Sequence, residues 1–235
     1  MSAISSESHR ARRAIFERLR QNNQATNTVP TAGGEVQLIT PWQDGADRSV
    51  SRTTRFIDNA RNWRAEVIEA TPSTWLQQIV DLVAKRGLRR VAAGRDSAIS
   101  GPLSASTLAD RVYWVDGPIE STKETLFNGI DAGITTATGG VAQTGSLLLR
   151  PSIAEPRMLS LIPPVHIAVV HESTLYETLQ DAMREQGWAD SMPTNLLMVT
   201  GPTKTADIQR MLVYGVHGPR SLVIMLVRAS TGGSP

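Results

Sequence analysis

Cysteine is absent from this 235-residue sequence, and its absence excludes several kinds of chemistry at once. Without a thiol, the chain has no disulfide, no cysteine nucleophile and no cysteine-ligated zinc or iron–sulphur cluster of its own. The four histidines, at positions 9, 166, 171 and 217, are too scattered to match a metal-binding motif. We therefore expect no metal or redox cofactor in this chain.

Aromatic residues, an excess of one charge and long apolar runs are also scarce. Aromatic side chains make up 5% of the residues, and 24 Lys and Arg nearly balance 22 Asp and Glu. Nucleic-acid binders usually combine a basic face with stacking aromatics, so we expect no nucleic-acid partner. The longest apolar run, Leu222–Val227, is far too short to span a membrane. Residues 1–20 lack the apolar core of a signal peptide, so we expect a cytoplasmic protein.

Composition divides the chain into four segments. Residues 1–21 are a predicted amphipathic helix, because apolar side chains recur there at four-residue spacing. Residues 22–50 are polar and form a predicted loop or linker, and residues 229–235 form a predicted flexible tail. The apolar stripe of the first helix needs a surface to cover, which is either the rest of the chain or another copy in a homo-oligomer. Residues 51–228 are the predicted α/β domain.

Within residues 51–228, short apolar runs alternate with segments of helical periodicity. The apolar runs are rich in β-branched residues, as is typical of strands buried on both faces. Such alternation favours a parallel sheet covered on both sides. The sequence therefore predicts an α/β fold, a single domain with a mostly parallel sheet flanked by helices. The predicted strands are Glu66–Glu69, Arg90–Ala93, Val112–Val115, Ser146–Arg150, Val165–Val170, Leu196–Thr200 and Leu222–Val227, and the predicted helices are 51–64, 71–87, 122–129, 173–186 and 203–212.

The first stretch that could carry chemistry is Gly133–Ser146, which is rich in glycine and threonine. Glycines let the backbone approach a ligand closely, and the hydroxyl groups of Thr and Ser can orient it. The same composition is typical of a strand–turn–strand whose glycines only satisfy turn geometry. Composition alone favours this second interpretation.

The second stretch is Thr200–Ile208 (TGPTKTADI), between a predicted strand and a predicted helix. The free amides of a helix N-terminus, with Lys204 beside them, would favour an anion. Alternatively, Asp207 would reach back to a backbone amide and cap the helix. The sequence supports both interpretations about equally, and the spacing of a P-loop is missing.

Histidines mark two further stretches. In Gly215–Arg220 (GVHGPR), His217 could act as an acid or base or bind an anion, and Arg220 could pair with a carboxylate. Alternatively, these polar side chains only satisfy the backbone of a turn. His166 enters a buried strand, where a lone histidine is more often a hydrogen-bonded core or rim residue than a catalyst. His171, at the far end of that strand, is expected to face solvent.

Four stretches together resemble the LUD-domain family, specifically lactate-utilisation protein C. The resemblance is close over roughly residues 120–228 and looser before them. It implies a fold related to ribose-phosphate isomerases and CoA transferases. It also implies an operon with two iron–sulphur partner proteins, which together oxidise L-lactate to pyruvate. The stretches are Gly133–Ser146, Leu159–Val170 (LSLIPPVHIAVV), Thr200–Ile208 and Val213–Val227 (VYGVHGPRSLVIMLV).

The resemblance favours a subunit of an iron–sulphur lactate-oxidising complex that has no redox cofactor itself. Two alternatives stay open: an acyl- or phosphosugar-handling enzyme of the isomerase or CoA transferase-like fold, and a regulatory protein that senses a carboxylate. At one position the sequence departs from the family, because Gln143 stands where Glu is common. A neutral amide can orient a ligand but cannot act as a carboxylate base, which weakens the enzyme alternative.

A ligand site is expected where loops follow strands, since open α/β sheets bind ligands beyond the carboxyl ends of their strands. The predicted strand Leu196–Thr200 ends at such a loop, and two other turns carry polar groups that could converge on it. We expect a small carboxylate or phosphate anion there. The predicted ligand-binding residues are Gln143, Thr144, Gly145, Gly201, Lys204, Thr205, His217 and Gly218.

Overall fold

A six-stranded parallel sheet forms the centre of the fold. The computed structural model describes Glu17 and residues 50–116, 119–206, 212–214 and 218–229, with the backbone alone at 119–121, 204–206 and 212–214. The strands are β1 (Glu66–Ala70), β2 (Val91–Gly94), β3 (Val112–Val115), β4 (Ala132–Thr136), β7 (Val165–His171) and β12 (Ser221–Val227). Their order is β1-β12-β7-β4-β2-β3, and every pairing is parallel.

Two smaller sheets are inserted between strands of the main sheet. One contains β5 (Gly139–Val141), β6 (Ser146–Leu149), β8 (Leu175–Tyr176) and β9 (Leu197–Val199), in the order β8-β5-β6-β9. Strand β6 pairs antiparallel with both β5 and β9. The other is an antiparallel pair of β10 (Lys204–Ala206) and β11 (Leu212–Tyr214).

Two of the described helices begin at a residue whose side chain satisfies a free amide. The hydroxyl of Ser51 accepts a hydrogen bond from the amide of Thr54 at 3.1 Å and starts the first helix. Thr178 and Asp181 form a capping box at the start of the last one. The helices are α1 (Arg52–Asn62), α2 (Trp75–Lys85), α3 (Ser100–Ser104), α4 (Ile119–Asn128), α5 (Met158–Leu161) and α6 (Leu179–Glu185).

The hydrophobic core lies on both faces of the parallel sheet. On β7, Ile167 and Val169 face one layer, and Ala168 and Val170 face the other. Helices α2 and α3 cover the first face. Helix α1 and the four-stranded sheet cover the second face over β12 and β7, and α4 and α5 cover it over β2 and β3. Each fully buried aliphatic side chain contributes about 1.5–3 kcal/mol, so this two-sided burial stabilises the sheet.

The short helix α5 lies unusually close to β4. A Cβ atom at Gly133 would be 1.9 Å from the carbonyl oxygen of Leu159, a distance that no real pair of such atoms tolerates. Gly133 therefore lets the backbone of α5 rest on the strand. This contact positions Ser160 and Leu161, the next two residues of α5, at the edge of a cavity described below.

The predicted fold class is confirmed, since the main sheet is parallel and has helices on both faces. Three local predictions are wrong. The predicted helix 203–212 is instead a strand at Lys204–Ala206, paired with a second strand at Leu212–Tyr214. The predicted strands Ser146–Arg150 and Leu196–Thr200 exist as β6 and β9, but they pair antiparallel with each other in the four-stranded sheet and not in the parallel one. The helix expected from residue 173 begins only at Leu179, after a 3-10 turn and the short β8.

Some predictions fall on parts of the chain that the structure does not describe. Glu17 is helical and exposed, but the rest of the predicted helix 1–21 and almost all of the loop 22–50 lie outside the described residues. Asp207 and His217 also lie outside them. Across the described ranges, no helix has the length and apolar character needed to span a membrane.

Candidate functional site

The turn Gln143–Gly145 joins β5 to β6 and is held against α1. The side-chain amide of Asn59 donates to the carbonyl oxygens of Ala142 and Gln143 at 2.8 and 3.2 Å. Gly145 has a φ of +67°, and a Cβ there would lie 2.2 Å from the amide nitrogen of Ala60. The turn is therefore fixed by backbone contacts, while the Gln143 side chain itself is exposed.

A chain of hydroxyl groups links this turn to the loop after β9. The hydroxyls of Thr144 and Ser146 are 2.8 Å apart, and those of Ser146 and Thr200 are also 2.8 Å apart. Ser146 is fully buried, so its hydroxyl depends on these two partners. If each hydroxyl donates to the next, the proton of Thr200 stays free to donate to a ligand.

The loop after Thr200 meets the segment that precedes β12. The amide of Thr203 donates to the carbonyl of Pro219 at 2.9 Å. Gly218 lies so close that a Cβ on it would be 2.2 Å from the hydroxyl oxygen of Thr203. On its other side, the backbone of Gly201 packs on Trp63, whose carbonyl oxygen would lie 2.4 Å from a Cβ at that glycine. Two of the predicted site segments, around Gly201 and Gly218, are thus in contact.

These segments border a cavity of about 200 Å³, which we call the hydroxyl cavity. It lies on the second face of the parallel sheet, beside α5 and the end of β9. Pockets for drug-sized ligands measure about 300–1,000 Å³, so this volume suits a smaller molecule. The polar side chains in its lining are those of Ser160, His166, Thr200 and Thr203. The rest of its wall is formed by Leu161, Met198, Val199, Gly201, Pro219 and Leu222.

His166 is the most deeply buried polar side chain of the hydroxyl cavity. It is 1% exposed, and its Nε2 atom lies 2.9 Å from the hydroxyl oxygen of Thr135 on the neighbouring strand. Its Nδ1 atom is buried and has no hydrogen-bond partner among the described residues. Burial lowers the pKa of the imidazole to about 4, so the ring is neutral at pH 7.

A second polar site lies at the carboxyl ends of β2 and β4. From β2 the chain continues to β3 on one side, whereas from β4 it continues to β7 on the other. Ligands of open α/β sheets bind at such a topological switch point. The switch-point crevice found there has a volume of only about 10 Å³, which is close to the room one water molecule needs. Its polar lining residues are Thr135, Thr136, Arg150, Glu155, Arg157 and Ser160.

Glu155 is the central residue of the switch-point crevice. Its Oε2 atom accepts hydrogen bonds from the amide and hydroxyl of Thr136 at 3.0 and 2.9 Å. Its Oε1 atom is buried and unpaired within the described part of the chain. Burial raises the pKa of this carboxyl, although the two bonds from Thr136 act in the opposite direction. A carboxyl group whose pKa is raised by burial holds its proton to a higher pH than an exposed glutamate does.

The switch-point crevice and the hydroxyl cavity are adjacent: both are lined by Ser160, and the hydrogen bond between Thr135 and His166 connects them. Thr135 lines the crevice and His166 lines the cavity, and their side chains are hydrogen-bonded. The hydroxyl of Ser160 donates to the carbonyl of Arg157 at 2.8 Å, which leaves its lone pairs for another donor. The arrangement can therefore bind a small polar molecule, and Glu155 can exchange a proton nearby.

The structure brings some of the predicted site residues together. Thr144, through the hydroxyl chain, and the backbones of Gly201 and Gly218 all reach the region of the hydroxyl cavity. The exposed Gln143 is absent from the cavity lining. Lys204 and Thr205 are described only as backbone, and His217 is not described. Their roles in a site stay predictions.

The loop at Gly201 does not lie where the sequence-based site prediction placed it. Strand β9 is antiparallel to β6 in the four-stranded sheet, so the loop at Gly201 is not at the carboxyl edge of the parallel sheet. No helix begins at Thr203 either, because Lys204–Ala206 is a strand. A helix dipole therefore cannot favour an anion at this point. The alternative, in which Asp207 caps a helix that begins at Thr203, is excluded for the same reason.

Sequence reasoning missed the residues on which the two sites depend. Glu155 lies in a segment that has no recognisable motif, and Ser160 lies in the stretch Leu159–Val170, where it was given no role in a site. His166 was noted, but a role in the core was favoured for it, and the unpaired Nδ1 atom adds a feature that this role does not explain. One signal was available: a histidine inside the apolar run Val165–Val170 must find hydrogen-bond partners once it is buried. His171 is exposed, as predicted.

Known proteins match most of the chain. Residues 53–227 match the family model of the LUD domain. An uncharacterized protein of Neisseria meningitidis serogroup B is 35% identical over 76% of this chain and 78% of its own length. Proteins named Lactate utilization protein C are 28% identical in Exiguobacterium sp., over 83% of this chain and 90% of that protein, and 26% identical in Oceanobacillus iheyensis, over 74% of each.

A solved structure supports the fold. The crystal structure of a DUF162 family protein from Deinococcus radiodurans superposes with a TM-score of 0.56 and covers 76% of this chain and 99% of that chain. At 22% sequence identity, this likeness shows a shared fold alone. The LUD model matches well over half of the sequence, and the Neisseria relative is similar over most of both chains. On this evidence the chain belongs to the LUD domain family.

Proposed function

We propose that this chain is a cytoplasmic component of a lactate-utilisation system, in which it binds a small carboxylate anion and carries no redox group itself. Relatives named Lactate utilization protein C support the lactate setting. Lactate oxidation moves two electrons, and a chain without cysteine has no ligands for a cysteine-bound cluster. Iron–sulphur lactate-utilisation proteins are therefore its proposed partners.

The composition of the hydroxyl cavity carries this proposal. Segments far apart in the sequence bring hydroxyl groups to it, from Thr200 and Thr203 after β9 and from Ser160 on α5, although Ser160 donates its own proton to the carbonyl of Arg157. Hydroxyl protons can bind carboxylate oxygens, and the chain Thr144–Ser146–Thr200 leaves the proton of Thr200 for the ligand when each hydroxyl donates to the next. The volume of about 200 Å³ suits a molecule of the size of lactate.

We assign the positive charge of this site to Lys204. The residue follows Thr203 directly in the chain, and Thr203 lines the cavity. Charge-assisted hydrogen bonds are about twice as strong as neutral ones, so a lysine beside two hydroxyls would give the site its affinity for an anion. This assignment keeps the lysine of the sequence-based site and drops the helix dipole.

Calorimetric titration with L-lactate tests the binding. Lys204→Ala should weaken lactate binding at least about tenfold, which is about 1.4 kcal/mol. Lys123→Ala is the matched control, because it removes an exposed lysine of α4, far from the loop in sequence. Equal affinities in the wild type and Lys204→Ala would contradict the assignment of the charge. No binding of lactate to the wild type would contradict the proposed ligand.

An oxidation assay tests the subunit role. The purified chain with an artificial electron acceptor should not oxidise L-lactate, since it has no group that could hold the electrons. Co-expression with iron–sulphur proteins encoded beside it should restore oxidation, and the chain should co-purify with them. Turnover of lactate by the isolated chain would refute the subunit role.

A second candidate function is favoured by Glu155. A buried carboxyl with a raised pKa at a topological switch point is the kind of group that acid–base enzymes use. This candidate is an enzyme that handles an acyl or phosphorylated substrate. It requires turnover by the isolated chain that Glu155→Gln abolishes, whereas the subunit function requires none.

A further inference from the structure

His166 has a buried hydrogen-bonding atom that pairs with none of the described residues. The residue lies in an apolar strand, 1% exposed, and its neighbours on the sheet at that level are Gly133 and Leu222. The Nε2 atom pairs with the hydroxyl of Thr135 at 2.9 Å, whereas Nδ1 has no partner in the described ranges. A buried polar atom without a partner is costly, so it indicates a partner beyond the described residues, and a bound ligand can supply one.

The hydroxyl cavity is where such a partner would lie. His166 forms part of its wall, together with the hydroxyl groups of Thr200 and Thr203. Around the ring, the described neighbours are apolar or uncharged, and burial keeps the imidazole neutral at pH 7. A neutral imidazole lacks the charge that would attract a carboxylate, but it forms a hydrogen bond with a hydroxyl group in either tautomer.

We propose that His166 recognises the hydroxyl group of a small 2-hydroxy acid in the hydroxyl cavity, and that Thr135 is a positioning residue that fixes the imidazole ring. This inference rests on the proposed function, because it divides the ligand between two groups. Lys204 and the threonine hydroxyls bind the carboxylate, and His166 Nδ1 binds the oxygen on C2. His166 thus determines specificity for a hydroxy acid over the corresponding plain acid.

Thr135 gives the interaction its direction. Its side chain is 4% exposed and hydrogen-bonded to Nε2, so the ring cannot rotate without breaking a buried bond. When the threonine hydroxyl donates to Nε2, the proton sits on Nδ1 and is donated to the ligand. When Nε2 donates to the threonine, Nδ1 accepts the proton of the ligand hydroxyl. Both states pair with a hydroxyl, and neither pairs with a C–H group.

Titration with L-lactate and with propionate tests the proposal, because the two anions differ only by the hydroxyl on C2. Wild-type protein should bind L-lactate at least about tenfold more tightly than propionate, which is about 1.4 kcal/mol. His166→Phe keeps a ring of similar size and should bind both anions equally, with the affinity that the wild type has for propionate. Thr135→Val should reduce the preference for lactate, and Thr135→Ser, which keeps the hydroxyl, should retain it.

A measurement on the wild type keeps the proposal testable if the buried variants do not fold. In a long-range ¹H–¹⁵N spectrum of the histidine rings, L-lactate should shift the Nδ1 signal of His166 and propionate should not. Equal affinities of the wild type for the two anions, or a lactate preference that survives in folded His166→Phe, would overturn the role of His166 and leave the carboxylate site intact. Failure of both anions to bind would overturn the proposed function as well.

Discussion

Protonation of His166 is expected to destabilise the fold as the pH falls below about 6.5. Burial lowers the pKa of this imidazole from 6.5 to about 4. Between these two pH values, the unfolded chain holds a proton at His166 that the folded chain does not. The free energy of unfolding therefore rises with pH across this window, and the stability that the neutral ring maintains is lost on acidification.

The size of this effect follows from the width of the window. Within the window, each pH unit changes the free energy of unfolding by about 1.4 kcal/mol. Its full width therefore corresponds to at most about 3 kcal/mol, and acidification from pH 7 to pH 5 removes about 2 kcal/mol. The loss is a large fraction of the free energy of unfolding of a typical folded domain, which is roughly 5–15 kcal/mol.

Urea unfolding at pH 7 and pH 5 measures the effect in the wild type and in His166→Phe. Other titrating groups are present in both proteins, so the difference between their pH dependences isolates the histidine. His166→Phe should lose about 2 kcal/mol less on acidification than the wild type does. Identical pH dependences, or an imidazole that titrates near its ordinary pKa in the folded protein by NMR, would refute the reasoning.

Three other outcomes concern α5, the crevice and the cofactor content. Gly133→Ala should lower the free energy of unfolding by at least about 1 kcal/mol in urea, because the new Cβ would clash with the carbonyl of Leu159. Gly101→Ala is the control: its Cβ would enter open space, so this substitution should be neutral or stabilising. Burial raises the pKa of Glu155, so the contribution of this carboxyl to the free energy of unfolding falls as the pH rises above 4.5. Glu155→Gln should remove this fall, whereas Glu124→Gln, at an exposed position, should not. A pH dependence of unfolding that is unchanged in Glu155→Gln would contradict the prediction. Elemental analysis of the purified protein should find no stoichiometric metal, and about one transition-metal ion per chain would contradict this.

Five of the six strands of the main sheet were predicted, whereas β4 (Ala132–Thr136) was hidden in the glycine- and threonine-rich stretch. The central strands β7 and β12 gave the clearest signal, because they are buried on both faces. Runs such as Val165–Val170 and Leu222–Val227 are apolar without interruption, and only a central strand of a covered sheet needs this pattern. Helices between them were visible from their periodicity. The order of the strands was not, because each pairing joins residues far apart in the chain, such as Glu66 with Val223.

The segment after Thr203 shows where local patterns fail. Thr203 and Asp207 suggested the start of a helix, since hydroxyl and acidic residues are common there. In the structure, Lys204–Ala206 pairs with Leu212–Tyr214. Strand pairing depends on a partner segment, which no local pattern reveals, so an intrinsic preference of a few residues was overridden.

The same limit applies to the candidate site. Motifs located the segments around Gly201 and Gly218, which do meet in the structure. They did not reveal Thr135 as the partner of His166, because the two residues are 31 positions apart and meet only through the register of β4 and β7. Glu155 was equally hidden, since the burial that perturbs its pKa is created by the fold.

The place of β12 in the sheet has a consequence for how the protein is made. This strand lies between β1 and β7, so the first and the last strands of the sheet are neighbours. During synthesis, β1 and β7 leave the ribosome long before Ser221–Val227, and until then each exposes an unpaired edge. The main sheet can close only when its last strand is inserted into the interior. A nascent chain stalled before residue 221 would therefore expose the edge of β7 and leave β1 without a partner strand, and deletion of β12 would detach β1 from the remaining strands β7-β4-β2-β3.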